Sequence, residues 1–281
     1  MREVHYSQIV EAVREIALRA NYELPQDVEL AYRRALETEE SELGKEVLQQ
    51  ILLNIKASKE EQMAYCQDTG VAVVFVEIGQ DVRVVGGALE EAINEGVRRA
   101  YAEGYLRASM VYDPVFERKN TKDNAPAVVH YRVVPGEVLR LVFAPKGAGS
   151  ENTSRLAMLK PADGWEGVKN FVLETVRLAG PNACPPFTVG VGIGGTFEYC
   201  ALLAKRALLR PVGERSSDPV ARRMEEELIE EVNKIGWGPM GFGGTVTAVD
   251  VKVELYPCHI ASLPVAVNIQ CHASRHAEVE L

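Results

Sequence analysis

No apolar run in this 281-residue chain approaches the roughly 20 residues that a membrane-spanning helix needs. No C-x-x-C pair occurs, so the usual zinc-finger and bacterial ferredoxin spacings are missing. An excess of positive charge is lacking too: 31 Lys and Arg face 40 Asp and Glu, the net charge is −9 and the pI is about 5.3. That balance leaves no electrostatic footprint for nucleic acid or an anionic membrane. The N-terminal stretch MREVHYSQIVEAVREIALRANYEL carries acidic residues throughout, unlike a signal or transit peptide, so the expected location is the cytoplasm. No linker, repeat or low-complexity segment interrupts the sequence, and residues 1–281 are expected to form one domain. The five cysteines are an odd count in a chain of this length, better read as metal-binding, catalytic or buried than as disulfides.

What is present is ordinary globular composition, 47% hydrophobic and 25% charged. Apolar residues at helical spacing run through YSQIVEAVREIALRAN, QDVELAYRRALETEES and GKEVLQQILLNIKASKEEQ, predicting a helical cap over residues 1–63. From Gly70 the period changes. VAVVFVEIG reads as a strand, GALEEAINEGVRRAYAEG as a helix, and AVVHYRVVPGEVLRLVFAPKG as a hairpin about a Pro-Gly turn. A helix near 164–179, the strand FTVGVGIGG, the helices TFEYCALLAKRALL and DPVARRMEEELIEEVNKIG, and two closing β runs complete an α/β pattern with mixed sheets flanked by helices.

FTVGVGIGGTFEY has the G-x-G-x-x-G spacing of a dinucleotide fingerprint at Gly190, Gly192 and Gly195. It lacks the strand and acidic residue that must follow about 20 residues on to hold a ribose. Close backbone packing, or an anion at the helix N-terminus, explains the glycines as well. PKGAGSEN lacks the Gly-Lys-Ser/Thr ending of a phosphate loop, although its amides suit a carboxylate or a plain turn. Cys66, Cys184 and Cys271 each sit at the edge of a predicted strand, Cys200 reads as a core residue, and Cys258 is less clear. Cysteines so far apart in sequence are compatible with either burial or convergence on one metal group. Arg107, in LRASMV, looks enclosed and so in need of an anion. His259 stands as either a structural or an active-site histidine.

Taken in order, CQDTG, LRASMV, KNTKDNAPA, KGAGSEN, ACPPFTVGVGIGG, CHIASLPVAVNIQC and HASRH resemble the N-terminal, cluster-binding half of class I fumarases, also met as the alpha subunit of two-chain fumarate hydratases and L-tartrate dehydratases. The resemblance implies two sheets flanked by helices and a [4Fe-4S] cluster held by Cys66, Cys184 and Cys271. One iron is left open as a Lewis acid. It places substrate contacts on Gln67, Asp68, Arg107 and Gly149, and active-site roles on Asp68 and His259. It also implies a beta subunit carrying a swivelling domain and the proton-removing base, in a heterotetramer or with self-associating alpha chains. The activity it implies is reversible hydration of fumarate to (S)-malate, a step of the tricarboxylic acid cycle, with L-tartrate as the alternative substrate. Two other classes stay open: a nucleotide-dependent oxidoreductase using GVGIGG, and a non-catalytic iron–sulfur protein.

Overall fold

A strand apolar on both faces needs a neighbour on each side and cover above and below, and the two most continuous apolar runs, VAVVFVEIG and FTVGVGIGG, each become an interior strand of a four-stranded sheet. The computed structural model describes residues 1–281. Its elements run β1 (Arg2–His5), α1 (Tyr6–Tyr22), α2 (Gln26–Thr38), α3 (Glu42–Glu61), β2 (Val71–Gly79), β3 (Val82–Val85), α4 (Leu89–Glu103), β4 (Val128–Val134), β5 (Leu139–Lys146) and α5 (Ala148–Glu151). They continue with β6 (Arg155–Leu159), α6 (Gly164–Ala179), β7 (Phe187–Gly195), α7 (Phe197–Ala207), α8 (Pro219–Asn233), β8 (Ala248–Cys258), β9 (Leu263–Gln270) and β10 (Ala277–Glu280). The mixed α/β class expected from the sequence is present, and no helix is long and apolar enough to cross a membrane.

The chain divides into two compact units. The first is Met1–Pro25, Asn54–Ala148 and Arg275–Leu281; the second is Gln26–Leu53 and Gly149–Ser274. The boundaries fall at the start of α2, inside α3, inside α5 and just before β10, so no linker composition marks them. Residues 1–63 hold the three helices α1, α2 and α3, of which α1 falls in the first unit and α2 in the second.

In the first unit the strand order is β10-β5-β2-β4, with β2 parallel to β4 and antiparallel to β5. The expected hairpin of β4 and β5 does not form: β2 lies between them, pairing Val76 with Tyr131 on one side and with Leu141 on the other. The short link from Val134 to Leu139 crosses the end of β2, because an edge position would leave the most apolar strand half unpaired. Helix α1 starts on a capping box, His5 Nδ1 accepting from Ser7 N while Gln8 Oε1 accepts from His5 N. It packs Ile9, Val13 and Ile16 onto Val74, Leu141 and Phe143, together with Val97 of α4.

The second unit repeats this topology without any repeat in its sequence. Its order is β6-β9-β7-β8: β7 is central, β8 runs parallel to it, a short link crosses over, and β9 returns antiparallel with an antiparallel edge strand beyond. Phe187, Val189 and Val191 pack with Val172 and Val176 of α6 and Leu228 of α8. Helix α7 lies so close to β7 that a Cβ on Gly190 or Gly192 would come within 2.1 Å of the carbonyl of Ala204 or Cys200. Those glycines serve helix–strand packing. Cys200 is buried as expected, its thiol donating to the Phe197 carbonyl at 3.2 Å, and burial pushes its pKa up.

Glu39, only 2% exposed, joins the end of α2 to the segment before β8. Its carboxylate accepts from the main-chain N–H groups of Glu40, Ser41, Thr245 and Val246 at 2.8–2.9 Å. Burial pushes this carboxyl up, but the main-chain donors outweigh it and hold the pKa below the ordinary 4.5. A depressed carboxylate stabilises the fold fully above its unfolded pKa, and that stabilisation fades as pH falls through the folded value. Glu39→Gln should therefore lower the unfolding free energy by about 1–3 kcal/mol near neutral pH. Urea denaturation should show the gap from the parent narrowing as the buffer is taken below about pH 4.

Candidate functional site

In the first unit, Ala64 to Gly70 form the turn that feeds β2. Gly70 has φ +73° and a Cβ there would stand 2.7 Å from Lys146 N, so glycine is required. Asp68 is held at three points: Oδ1 accepts from Gly70 N at 3.0 Å, Oδ2 accepts from Ala148 N at 2.8 Å, and its carbonyl accepts from Arg275 Nη2. Thr69 Oγ1 donates to the Arg107 carbonyl at 2.8 Å, and the Thr69 carbonyl accepts from the buried Tyr101 hydroxyl at 2.6 Å. Burial pushes the Tyr101 phenol well up, so it stays a donor.

The polar motif KNTKDNAPA is the frame of this turn. Asn124, fully buried, donates to the Gly70 carbonyl at 3.1 Å and accepts from Ser109 N at 2.8 Å, while Asn120 donates to the Ala108 carbonyl at 2.9 Å. The turn and the LRASMV loop are thereby brought together. Arg107 itself is exposed, contrary to the expectation that it is enclosed. Leu106 takes the buried position and the Arg107 carbonyl is tied to Thr69, which turns the guanidinium outward. Cys66 is half-buried; its thiol donates to Gln67 Oε1 at 3.5 Å and its sulfur accepts from Asp68 N at 3.4 Å. Gln67 is exposed.

In the second unit Cys184 ends a short 3₁₀ turn in left-handed backbone, φ 55° and ψ 69°. Its carbonyl accepts from His272 N at 3.0 Å, so the residue after Cys271 is bonded to Cys184 and the two cysteines are neighbours. The pairing of Thr188 with Gln270 fixes the same proximity. Gln270 Nε2 donates to the Ala273 carbonyl at 2.9 Å and lies 3.8 Å from Cys271 Sγ. Gly149 is exposed, and a methyl group there would meet only the Asn182 carbonyl, at 3.7 Å. Its turn is pinned by Glu151, which accepts from Lys205 Nζ at 2.5 Å and from Asn268 Nδ2 at 2.8 Å.

His259 lies elsewhere. It follows β8 at the far end of β7, whereas Cys184 and Cys271 flank the beginning of that strand. From Thr188, paired with Gln270, to Gly195, paired with Cys258, β7 covers about 23 Å at ~3.3 Å per residue. His259 is exposed, its Nδ1 accepting from Ala261 N at 3.1 Å. Beside it a groove of about 580 Å³ is lined by Met158, Phe197, Tyr199, Tyr256 and the exposed Cys258.

Each unit thus carries chemistry at the same edge of its sheet, where the central strand begins and its antiparallel neighbour ends. Cys66 and Asp68 occupy that edge in the first unit, Cys184 and Cys271 in the second. No three His, Cys, Asp or Glu side chains come together as a metal-holding group. The donor set suits an iron–sulfur group nonetheless. None of the three cysteines is in a disulfide, all are half-buried, and the sulfurs of Cys66 and Cys271 have N–H donors beside them. Sequence reasoning missed Tyr101, Glu151, Lys205, Asn268 and Arg275 as supports. The available signal was polarity out of place, as with Asn268 inside LPVAVNIQC.

The profile of the family described as Fumarate hydratase (Fumerase) matches residues 10–280. A protein of Methanocaldococcus jannaschii with the provisional name L(+)-tartrate dehydratase subunit alpha is 45% identical over 274 residues, 96% of this chain and 94% of that protein. The L(+)-tartrate dehydratase subunit alpha of Escherichia coli strain UTI89 is 31% identical over 277 residues, 98% of this chain and 91% of that protein. The corresponding protein of E. coli strain K12 is 31% identical over 271 residues, covering 96% and 89%. With its sheets and its cysteine edges described, and with a match along nearly its whole length, the chain belongs to the fumarate hydratase (Fumerase) family.

Proposed function

We propose that this chain is the alpha subunit of a two-subunit hydro-lyase that removes water from a four-carbon 2-hydroxy dicarboxylate, interconverting (S)-malate and fumarate. The observation that carries the reading is the placement of half-buried cysteines at the corresponding strand edge of each unit, Cys66 next to the exposed Gln67 in the first, Cys184 and Cys271 as neighbours in the second. Cys66, Cys184 and Cys271 are the proposed ligands of a [4Fe-4S] cluster. Such a cluster, bound by only three thiolates, supplies an iron that acts as a Lewis acid and makes hydroxide a better leaving group.

The protein's own residues supply orientation. Arg107, which is exposed, suits bidentate capture of a carboxylate. Asp68 keeps a lone pair on each carboxylate oxygen beyond its main-chain bonds, and with Gln67 it is the proposed contact for the substrate hydroxyl. Gly149 is not required by its own backbone, which supports a role in leaving room for a substrate carboxylate. For His259 the support is narrower: the resemblance alone favours an active-site role, and His259 stands at the other end of β7 from two of the proposed ligands. The beta subunit is the proposed source of the base. The relatives' names favour a second reading, in which the substrate is L-tartrate, one hydroxyl richer.

Protein reconstituted without oxygen should hold about four irons per chain. That iron should be lost in Cys66→Ser, Cys184→Ser and Cys271→Ser and retained in Cys200→Ser; retention in all three edge variants would refute the ligand set. The chain alone should show under about one hundredth of the turnover of the alpha–beta pair, a difference of more than ~2.7 kcal/mol in barrier. Assay of that pair with both acids decides the substrate. A site lacking a partner for the second tartrate hydroxyl loses about 1–3 kcal/mol, or roughly 5- to 150-fold in kcat/KM. Gly149→Ala should leave the melting temperature within about 2 °C of the parent while raising KM about tenfold, equivalent to ~1.4 kcal/mol.

A further inference from the structure

The guanidinium of Arg275 is not explained by the site as drawn. The residue is only 5% exposed, yet no carboxylate lies within salt-bridge distance of it. One nitrogen, Nη2, donates to the Asp68 carbonyl; Nε and Nη1 are buried and have no partner. Tyr101, a phenol kept neutral by burial, feels the charges of both Arg275 and the Asp68 carboxylate; that carboxylate is an anion in the same surroundings, but its oxygens are turned to Gly70 N and Ala148 N and make no ion pair with the guanidinium. A charged side chain removed from water without a counter-ion is strongly disfavoured unless an anion shares its surroundings. The buried cation of the second unit shows the ordinary arrangement: Lys252, fully buried, has Asp250 Oδ2 at 2.9 Å.

We propose that Arg275 is a positioning residue whose buried charge is the counter-ion for the anion that the Cys66–Gly70 turn receives, resting on the reading that this turn serves a cluster and a dicarboxylate. The turn is where that charge is felt, because the guanidinium is fastened to the main chain of Asp68. That residue's neighbours are a proposed ligand two positions before it and the glycine that starts β2. Direct contact is not required. In a water-poor interior, charges interact over several ångströms far more strongly than in water. Arg275 also precedes β10, whose Ala277 pairs with Phe143 of β5, so the cation is held by sheet pairing as well as by its own bond. Two anions share the required chemistry, the dicarboxylate substrate and a thiolate-ligated cluster, and they are separable by experiment.

The test uses the reconstituted alpha–beta pair carrying Arg275→Lys, which keeps the charge, or Arg275→Met, which removes it at similar length. For the dicarboxylate as the anion, the Met variant should raise KM for malate or L-tartrate about tenfold, with kcat within about threefold and the Lys variant within about threefold of the parent. For the cluster as the anion, the Met variant should leave KM in place and move the cluster's midpoint potential to more negative values, because the reduced state loses a favourable positive charge. If the Met variant fails to fold while the Lys variant folds and matches the parent, the charge serves the fold of the turn and not a received anion, which overturns the proposal. A folded Met variant with KM and midpoint potential both unchanged overturns it, as does a Lys variant as impaired as the Met variant. An alpha–beta parent that holds no iron and dehydrates neither acid refutes the underlying reading instead.

Discussion

Both units are organised by one constraint: a central strand with apolar residues on both faces, which cannot stand at a sheet edge. For β2 and β7 the constraint is met in the same way, by a parallel strand on one side and an antiparallel strand on the other, joined by a link that crosses the strand's far end. Much else follows. The free end of each central strand, where no link crosses, is open to the incoming turn and to the outgoing residues of the antiparallel neighbour. Those are the positions of Cys66, Cys184 and Cys271. The edge of each sheet that carries these cysteines is the edge that its own topology leaves uncovered.

That logic also accounts for what sequence reading could and could not see. Central strands, long amphipathic helices and the core character of Cys200 depend on local pattern, and they stand where FTVGVGIGG, GWEGVKNFVLETVRLA and FEYCALLAK led one to expect them. Pairing is not local. VVHYRVV and LRLVFAPK are individually strands, but only the distant β2 decides that they lie two strand positions apart instead of side by side. The short strands β1, β3, β6 and β10 carry four or five residues of mixed polarity each and gain their identity from partners far away in the chain. The two-unit division has no local signature for the same reason, since two of its four boundaries fall inside helices.

At the site, residue types were legible where chemistry demanded something unusual, as with a thiol, an amide and a carboxylate in succession at Cys66–Asp68. Orientation was not. Arg107 follows a buried leucine and was expected to share its burial, but alternate residues of an extended segment face opposite ways. The glycines of GVGIGG match a nucleotide fingerprint letter for letter, yet they are used to seat α7 against β7. The buried supports Asn124, Glu151 and Asn268 carry no signature beyond being polar in apolar company, and only their hydrogen bonds reveal that each fastens a functional turn.

The first unit takes its last strand, and the arginine that grips Asp68, from residues 275–281, while its first strand begins at Arg2. During synthesis the second unit is therefore translated in full while the first still lacks β10, and β5 waits with one edge unpaired. The Asp68 turn reaches its final form only once those residues have emerged from the ribosome. A chain trimmed before Arg275 would lose β10 and the grip on Asp68 together, leaving β5 with a bare edge and the turn before β2 without its anchor.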